Sequence, residues 1–254
     1  MSDAVLTERR GHVLLVTINR EDARNAINLD VSNGVGEAIE AADGDPEIRA
    51  VVITGAGTRS FSAGADLKSI MRGEPIVAPE RADWGFAGIT SHFTSKPVIA
   101  AVNGTALGGG TEIALSCDLV VACESASFGL PEVKRGLYAA AGGVFRLPRQ
   151  IPHKVAMELI LTGDPMSAAD AERWGLVNQV VPDGTVVDAA LALAERIAAN
   201  APLAVQASKR IAYSTDETGD WEKNRSELGV FGSEDAMEGP TAFAEKRAPV
   251  WKAR

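Results

Sequence analysis

Residues 97–123 constrain the fold of this chain more than any other stretch. They are mostly apolar or glycine, long enough to suggest a membrane span. Asn103, Glu112 and Asp118 interrupt the run, however, and Asn103-Gly104 reads as a turn. Three polar groups in lipid would be costly. The segment is therefore predicted as a buried strand, a turn, a helix and a second buried strand. Gly108-Gly109-Gly110 falls at the start of that helix, and Glu112 lies in its first turn. Twenty positions further on, Phe128-Gly-Leu-Pro-Glu132 supplies a second carboxylate just after a proline.

Short β-like runs alternate with helical ones around this segment. Val13–Ile18 alternates as a strand does, while 48–54 and 97–102 are compact β-branched runs typical of buried strands. Residues 119–123 and 126–129 read as further short strands. Residues 29–42 and 109–117 read as helices, the first stopped by Asp43-Gly44-Asp45-Pro46. The alternation predicts an α/β fold. The stretch 74–83, with Pro75 and Pro79, reads as a mobile surface loop.

Near residue 186 the character changes. Residues 186–199 form an alanine-rich helical pattern, and Pro202 opens another helix where proline is tolerated. Residues 221–228 and 233–247 continue the helical pattern, with Gly239-Pro240 expected to break the last piece. Such a tail cannot bury both faces of its helices by itself, so it is expected to pack on the core or on another subunit. The expected division is a core over residues 1–195 and a C-terminal helical region over 196–254.

Composition excludes several functions. The net charge of −9, with basic residues only in isolated pairs, argues against nucleic acid, which needs clustered cations. The opening residues carry no apolar run, so no secretory signal is expected, and Cys117 and Cys123 sit in apolar surroundings without metal-like spacing. Buried free thiols in a reducing cytoplasm are the expectation, with no membrane partner. His12, His92 and His153 are dispersed, so no metal site is expected. No serine is flanked as Gly-x-Ser-x-Gly and no phosphate-binding Gly-x-x-x-x-Gly-Lys is present.

Three glycines alone would be a tight turn or a close packing contact. At a helix start their bare N–H groups can instead hold developing negative charge. Glu112 favours the second reading, because a carboxylate is an odd choice in the otherwise apolar run Ile113, Ala114, Leu115, Cys117. Glu132 by itself would be an ordinary solvated Pro-Glu. Ser62-Ala-Gly-Ala-Asp66 is a small-residue turn along whose backbone a ligand chain could run.

Taken in order, these pieces resemble the enoyl-CoA hydratase/isomerase (crotonase) family over nearly the whole chain. Asn19-Arg20 through Asn25-Ala26-Ile27-Asn28 resembles the family's opening loop. Phe61-Ser-Ala-Gly-Ala-Asp66-Leu67 resembles its first oxyanion segment, and residues 99–118 resemble its signature. Phe128-Gly-Leu-Pro-Glu132, Gly136…Gly142-Gly143 and Phe243-Ala-Glu-Lys246-Arg247 follow at the expected spacing.

The resemblance implies a spiral of β-β-α turns with a C-terminal helical region, assembled as a homotrimer or homohexamer. It implies an acyl-CoA substrate and no metal or redox cofactor, coenzyme A being part of the substrate. The amides of Ala65 and Gly109 would form an oxyanion hole for the thioester carbonyl, with Glu112 and Glu132 as the acid/base pair. Ala26, Ala63, Asp66 and Leu67 would line the coenzyme path. Lys246 of a neighbouring subunit would approach the phosphates, with Arg24 a looser candidate for the same task.

Paired carboxylates suit reversible hydration of a trans-2-enoyl-CoA. Two alternatives stand beside it: double-bond isomerisation or another enolate reaction, and a protein that binds acyl-CoA without turning it over. Two departures are visible. Glu21 replaces the proline common after Asn-Arg, and Tyr138-Ala139-Ala140 stands where many hydratases have a proline-glycine turn that shapes the acyl pocket.

Overall fold

A computed structural model describes residues 4–214 and 228–254. Two sheets carry the architecture. The larger has the order β1-β2-β3-β5-β7-β10, formed by β1 (Val5–Arg10), β2 (Val13–Ile18), β3 (Ala50–Gly55), β5 (Val98–Val102), β7 (Leu119–Cys123) and β10 (Gln179–Val181). Only the β1–β2 pair is antiparallel. The smaller has the order β4-β6-β8-β9: β4 (Ser60–Ser62), β6 (Thr105–Leu107), β8 (Ser127–Gly129) and β9 (Met166–Ser167).

The chain visits both sheets once per turn. β3 leads to β4 and then to α2 (Leu67–Met71); β5 leads to β6 and then to α3 (Gly109–Ser116); β7 leads to β8 and then to a 3-10 turn, Pro131–Arg135. This is the expected spiral of β-β-α turns. Parallel neighbours bury both sheet faces, which is why β3 and β5 are apolar or small at nearly every position.

Two buried asparagines stitch the corners where the chain leaves the large sheet. The Asn103 amide donates to the Gly55 and Gly57 carbonyls, both at 2.7 Å, and its Oδ1 accepts from Gly55 N at 3.2 Å. Asn25, one spiral layer away, donates to the carbonyls of Ala56 (3.0 Å) and Ser60 (2.8 Å). Each satisfies backbone groups that the change of direction strips from the sheet ladder.

The expected helices form, with ends shifted by a residue or two. α1 spans Leu29–Gly44 and is capped by Asn28, whose Oδ1 accepts from Val31 N. α4 (Gly143–Gln150), α5 (His153–Thr162) and α6 (Ala168–Arg173) follow the third turn. α7 (Val186–Ala198) packs across β3, β5 and β7, and α8 (Pro202–Ser214) begins at its proline as expected.

Two expectations need correction. The stretch 74–83 runs into a 3-10 turn, Pro79–Trp84, whose terminal indole is buried against Gly36; a Cβ there would lie 2.1 Å from the ring. The stretch lies at the surface as expected, with residues 79–83 exposed, but its end is a 3-10 turn anchored by the ring of Trp84 just beyond it. Nor does Gly239-Pro240 break its helix: α9 runs continuously over Glu234–Glu245. Proline's fixed φ fits a helix at the cost of one hydrogen bond. The helix expected over 221–228 lies outside the described residues up to 227. Both cysteines are free and buried as expected, and no described helix is long and apolar enough to cross a membrane.

Candidate active site

The site forms where the second spiral turn meets the first. At Gly108 the chain leaves β6 with φ +56° and enters α3. Thr111 fixes this start: its Oγ1 donates to Ala106 O (2.7 Å) and meets Gly129 O and Gly129 N at 2.9 and 3.0 Å. Gly109 is the first residue of α3, so its N–H has no partner within the helix.

Ala65 supplies a second free-facing amide. Ile27 bridges this segment by donating to Gly64 O at 2.8 Å and accepting from Asp66 N at 2.9 Å. Those bonds occupy the groups on either side of Ala65 and leave its own N–H on the edge away from Ile27. Gly64 brings the two amide segments together. Its φ is +83°, and a Cβ there would stand 2.8 Å from both Gly109 N and Leu107 O. Only glycine allows that approach.

A cleft of about 430 Å³ opens over these amides. Ala63, Gly64, Ala65 and Leu67 form one wall, and Gly108, Gly109, Glu112 and Glu132 another. Phe86, Leu137 and Tyr138 add apolar surface. The Phe86 ring packs so closely on Gly109 that a Cβ at that position would lie 2.4 Å from it.

Both acids reach the cleft. Glu112 is 4% exposed. Its Oε1 accepts from Gly143 N at 2.9 Å, and the Ala141 amide also donates to the carboxylate. Burial, reinforced by the nearby Glu132, pushes its pKa up to about 7 despite those two amides. Glu132 sits in the first turn of Pro131–Arg135 with its carboxyl over Gly108, where Oε1 would be 3.0 Å from an added Cβ. Its Oε2 is buried without a hydrogen-bond partner among the described residues. Burial raises its pKa as well, with Arg135 opposing. A buried carboxyl with a spare oxygen aimed at a cleft is a group prepared to hold or pass a proton.

The other candidates separate. Arg24, in a left-handed conformation at φ 53°, lines the cleft together with Ala63 and Leu67. Asp66 and Ala26 are not among its lining residues. Asp66 caps α2 through Lys68 N (3.0 Å) and Ser69 N (3.3 Å) and pairs with Arg20 at 2.9 Å; that guanidinium also donates to Ala26 O at 2.5 Å. Their visible task is to brace the loop beneath Ala65. Lys246 is exposed at the end of α9 and is not among the residues lining the cleft of its own chain. Sequence reasoning missed Phe86 and Ile76, single apolar residues outside any long periodic element, and Ile70, on the five-residue α2, which is too short to show a period. It also missed Arg146, described below.

Two amide segments beside one buried and one half-buried acid form the candidate site of a spiral β-β-α fold. The chain belongs to the enoyl-CoA hydratase/isomerase family, whose pattern matches residues 8–254. Carnitinyl-CoA dehydratase of Salmonella typhi is 47% identical over 266 aligned positions, covering all of both chains. Among solved structures, carnitinyl-CoA hydratase from Mycobacterium avium is 65% identical with a TM-score of 0.83. Enoyl-CoA hydratase from Mycobacterium tuberculosis H37Rv is 47% identical with a TM-score of 0.94. Both superpose over the full length of both chains.

Proposed function

We propose that this protein is a hydro-lyase that interconverts a trans-2-enoyl-CoA and a 3-hydroxyacyl-CoA. The observation that carries the reading is the pairing of Glu112 and Glu132 over the amides of Ala65 and Gly109. In hydration, ionised Glu112 takes a proton from water as the water oxygen bonds to C3. The C2–C3 π electrons move toward the thioester, whose oxygen becomes negative and is held by the two amides. Protonated Glu132 then delivers its proton to C2. Dehydration reverses each step. One proton shared between the acids suits this division, since two adjacent carboxylates resist simultaneous ionisation. The amides carry the largest share of the barrier reduction; losing one such donor typically costs about 10²–10³ in rate.

No metal or redox cofactor has a task in this scheme, because the chain itself supplies the proton carriers and the polarising groups. The remaining parts of the reading are an acyl-CoA whose adenine and pantetheine run along the 63–67 segment with Arg24 toward the phosphates, a core over residues 1–195, and a helical region over 196–254 that joins subunits into a trimer or hexamer. Lys246 of an adjacent subunit would then meet the coenzyme phosphates.

Relatives that act on carnitinyl-CoA favour a particular acyl group as a second level of the proposal. Carnitinyl-CoA is itself a 3-hydroxyacyl thioester, so the same atoms serve its dehydration. The test is incubation of the enzyme with short, medium and bulky enoyl-CoAs and with carnitinyl-CoA, products being identified by mass. A gain or loss of 18 mass units supports the hydro-lyase reading. Double-bond migration without a mass change would establish an isomerase, and binding without turnover of any thioester would leave a carrier.

A further inference from the structure

Glu112 is held by backbone amides of the segment 141–143, and that segment is itself held from its far side. Arg146, half-buried on α4, donates from Nη1 to Ala141 O at 3.2 Å and from Nη2 to Thr90 O at 2.5 Å. Gly142, at φ +115°, lies against the same guanidinium, where a Cβ would be 2.0 Å from Nη1. Gly143 N and the Ala141 amide point the other way, onto Glu112. The arc 141–143 is thus gripped between a cation on one face and a carboxylate on the other.

The grip extends further. Thr90 follows the short turn Phe86–Gly88, whose Phe86 covers Gly109, so one guanidinium spans the strap above the helix start and the arc that orients the acid. Gln150, at the end of α4, donates to Leu115 O at 3.0 Å and keeps α4 in register with α3. The planar fork of arginine suits two carbonyls at once; a lysine ammonium is a point donor.

We propose that Arg146 is a positioning residue for Glu112, fixing the amides that aim its carboxylate and placing a permanent positive charge behind it. The inference rests on the reading of Glu112 as the proton acceptor. Charged and titratable groups face this cluster from several elements. Glu132 comes from the turn 131–135, Cys117 from the end of α3, His92 from the strap, and Lys209 and Tyr213 from α8. Burial raises the Cys117 thiol and the Tyr213 hydroxyl, so both stay neutral near pH 7. The nearby cation, in contrast, favours ionised Glu112.

The test compares wild type, Glu112→Gln, Arg146→Lys and Arg146→Met. For each, kcat, KM, the pH profile of kcat, and the affinity for saturated butyryl-CoA are measured. Arg146→Met is expected to lose about tenfold to a hundredfold in kcat. Its butyryl-CoA affinity should change by less than about twofold, and its acid limb should move up by about half a pH unit or more. Arg146→Lys should hold the limb near its wild-type position, because the charge is kept, while losing part of kcat. Wild-type kcat and an unmoved limb in either foldable variant would overturn the proposal. So would equal losses in both variants with no movement of the limb, which is what simple loosening of α4 produces. Equal turnover by wild type and Glu112→Gln would instead remove Glu112 as the base, and the inference with it.

Discussion

Oε1 of Glu112 accepts the amide of Gly143 at 2.9 Å across 31 residues of chain. This bond turns a buried acid, otherwise free to rotate, into one with a fixed face toward the cleft. It also joins α3 to α4, so the acid's orientation depends on two successive turns of the spiral.

Replacing Glu132 with glutamine preserves size and removes the transferable proton. Turnover of an enoyl-CoA should fall by about 10²–10⁴, the usual worth of a placed proton donor. Affinity for butyryl-CoA, measured by calorimetry, should be retained. Near-normal turnover would take this residue out of the reaction.

Activity should depend on pH through Glu112. Its pKa of about 7 means the acceptor form accumulates only as pH rises through neutrality. For hydration, kcat/KM should therefore climb between about pH 6 and 8 as Glu112 ionises. A flat profile across that range would contradict the assignment.

Stability should run the opposite way. Glu112 binds its proton more tightly in the folded chain (about 7) than its ordinary value of 4.5. That contribution to folding is fully present below about pH 4.5 and is lost as pH rises through 7. It amounts to about 3 kcal/mol at most. Denaturant unfolding at pH 5, 6 and 7 should show a downward slope in wild type that Glu112→Gln lacks. Parallel slopes would show that another group is responsible.

Gly64→Ala should separate the two amide segments. The added carbon would stand 2.8 Å from Gly109 N and from Leu107 O, at a backbone φ of +83°. A drop of about 10²–10³ in kcat is expected, matching loss of an oxyanion donor. Far-UV circular dichroism should show the fold intact. A variant with wild-type kcat would mean the amides do not act together.

A different test concerns the anchoring of α8. Lys209 Nζ lies 2.7 Å from Asp118 Oδ2 and 2.8 Å from Lys96 O, with both partners largely shielded from water. Lys209→Met strands Asp118 and should cost about 3 kcal/mol. Asp118→Asn in the same chain should recover part of it. Equal melting temperatures for wild type and the single variant would show the pair contributes nothing.

Much of this protein is determined locally. The β-branched runs, the Asn103-Gly104 turn, the three glycines and the proline opening α8 each carry their meaning within a few residues, because strand, turn and helix-start preferences act at that range. Glu112 was legible for the same reason, because it interrupts an apolar helix; Glu132, an ordinary Pro-Glu by itself, stood out only through the family resemblance. What only tertiary structure decided is which groups meet. Asp66, beside Ala65 in sequence, turns to cap α2 and pair with Arg20, whereas Arg146, unremarkable in sequence, grips the arc beneath Glu112. Trp84 pins a segment that looked like loop, and α9 continues through its proline. Those outcomes depend on distances between turns of the spiral. They are set by packing and by the pairing of buried polar groups, neither of which has a fixed spacing along the chain.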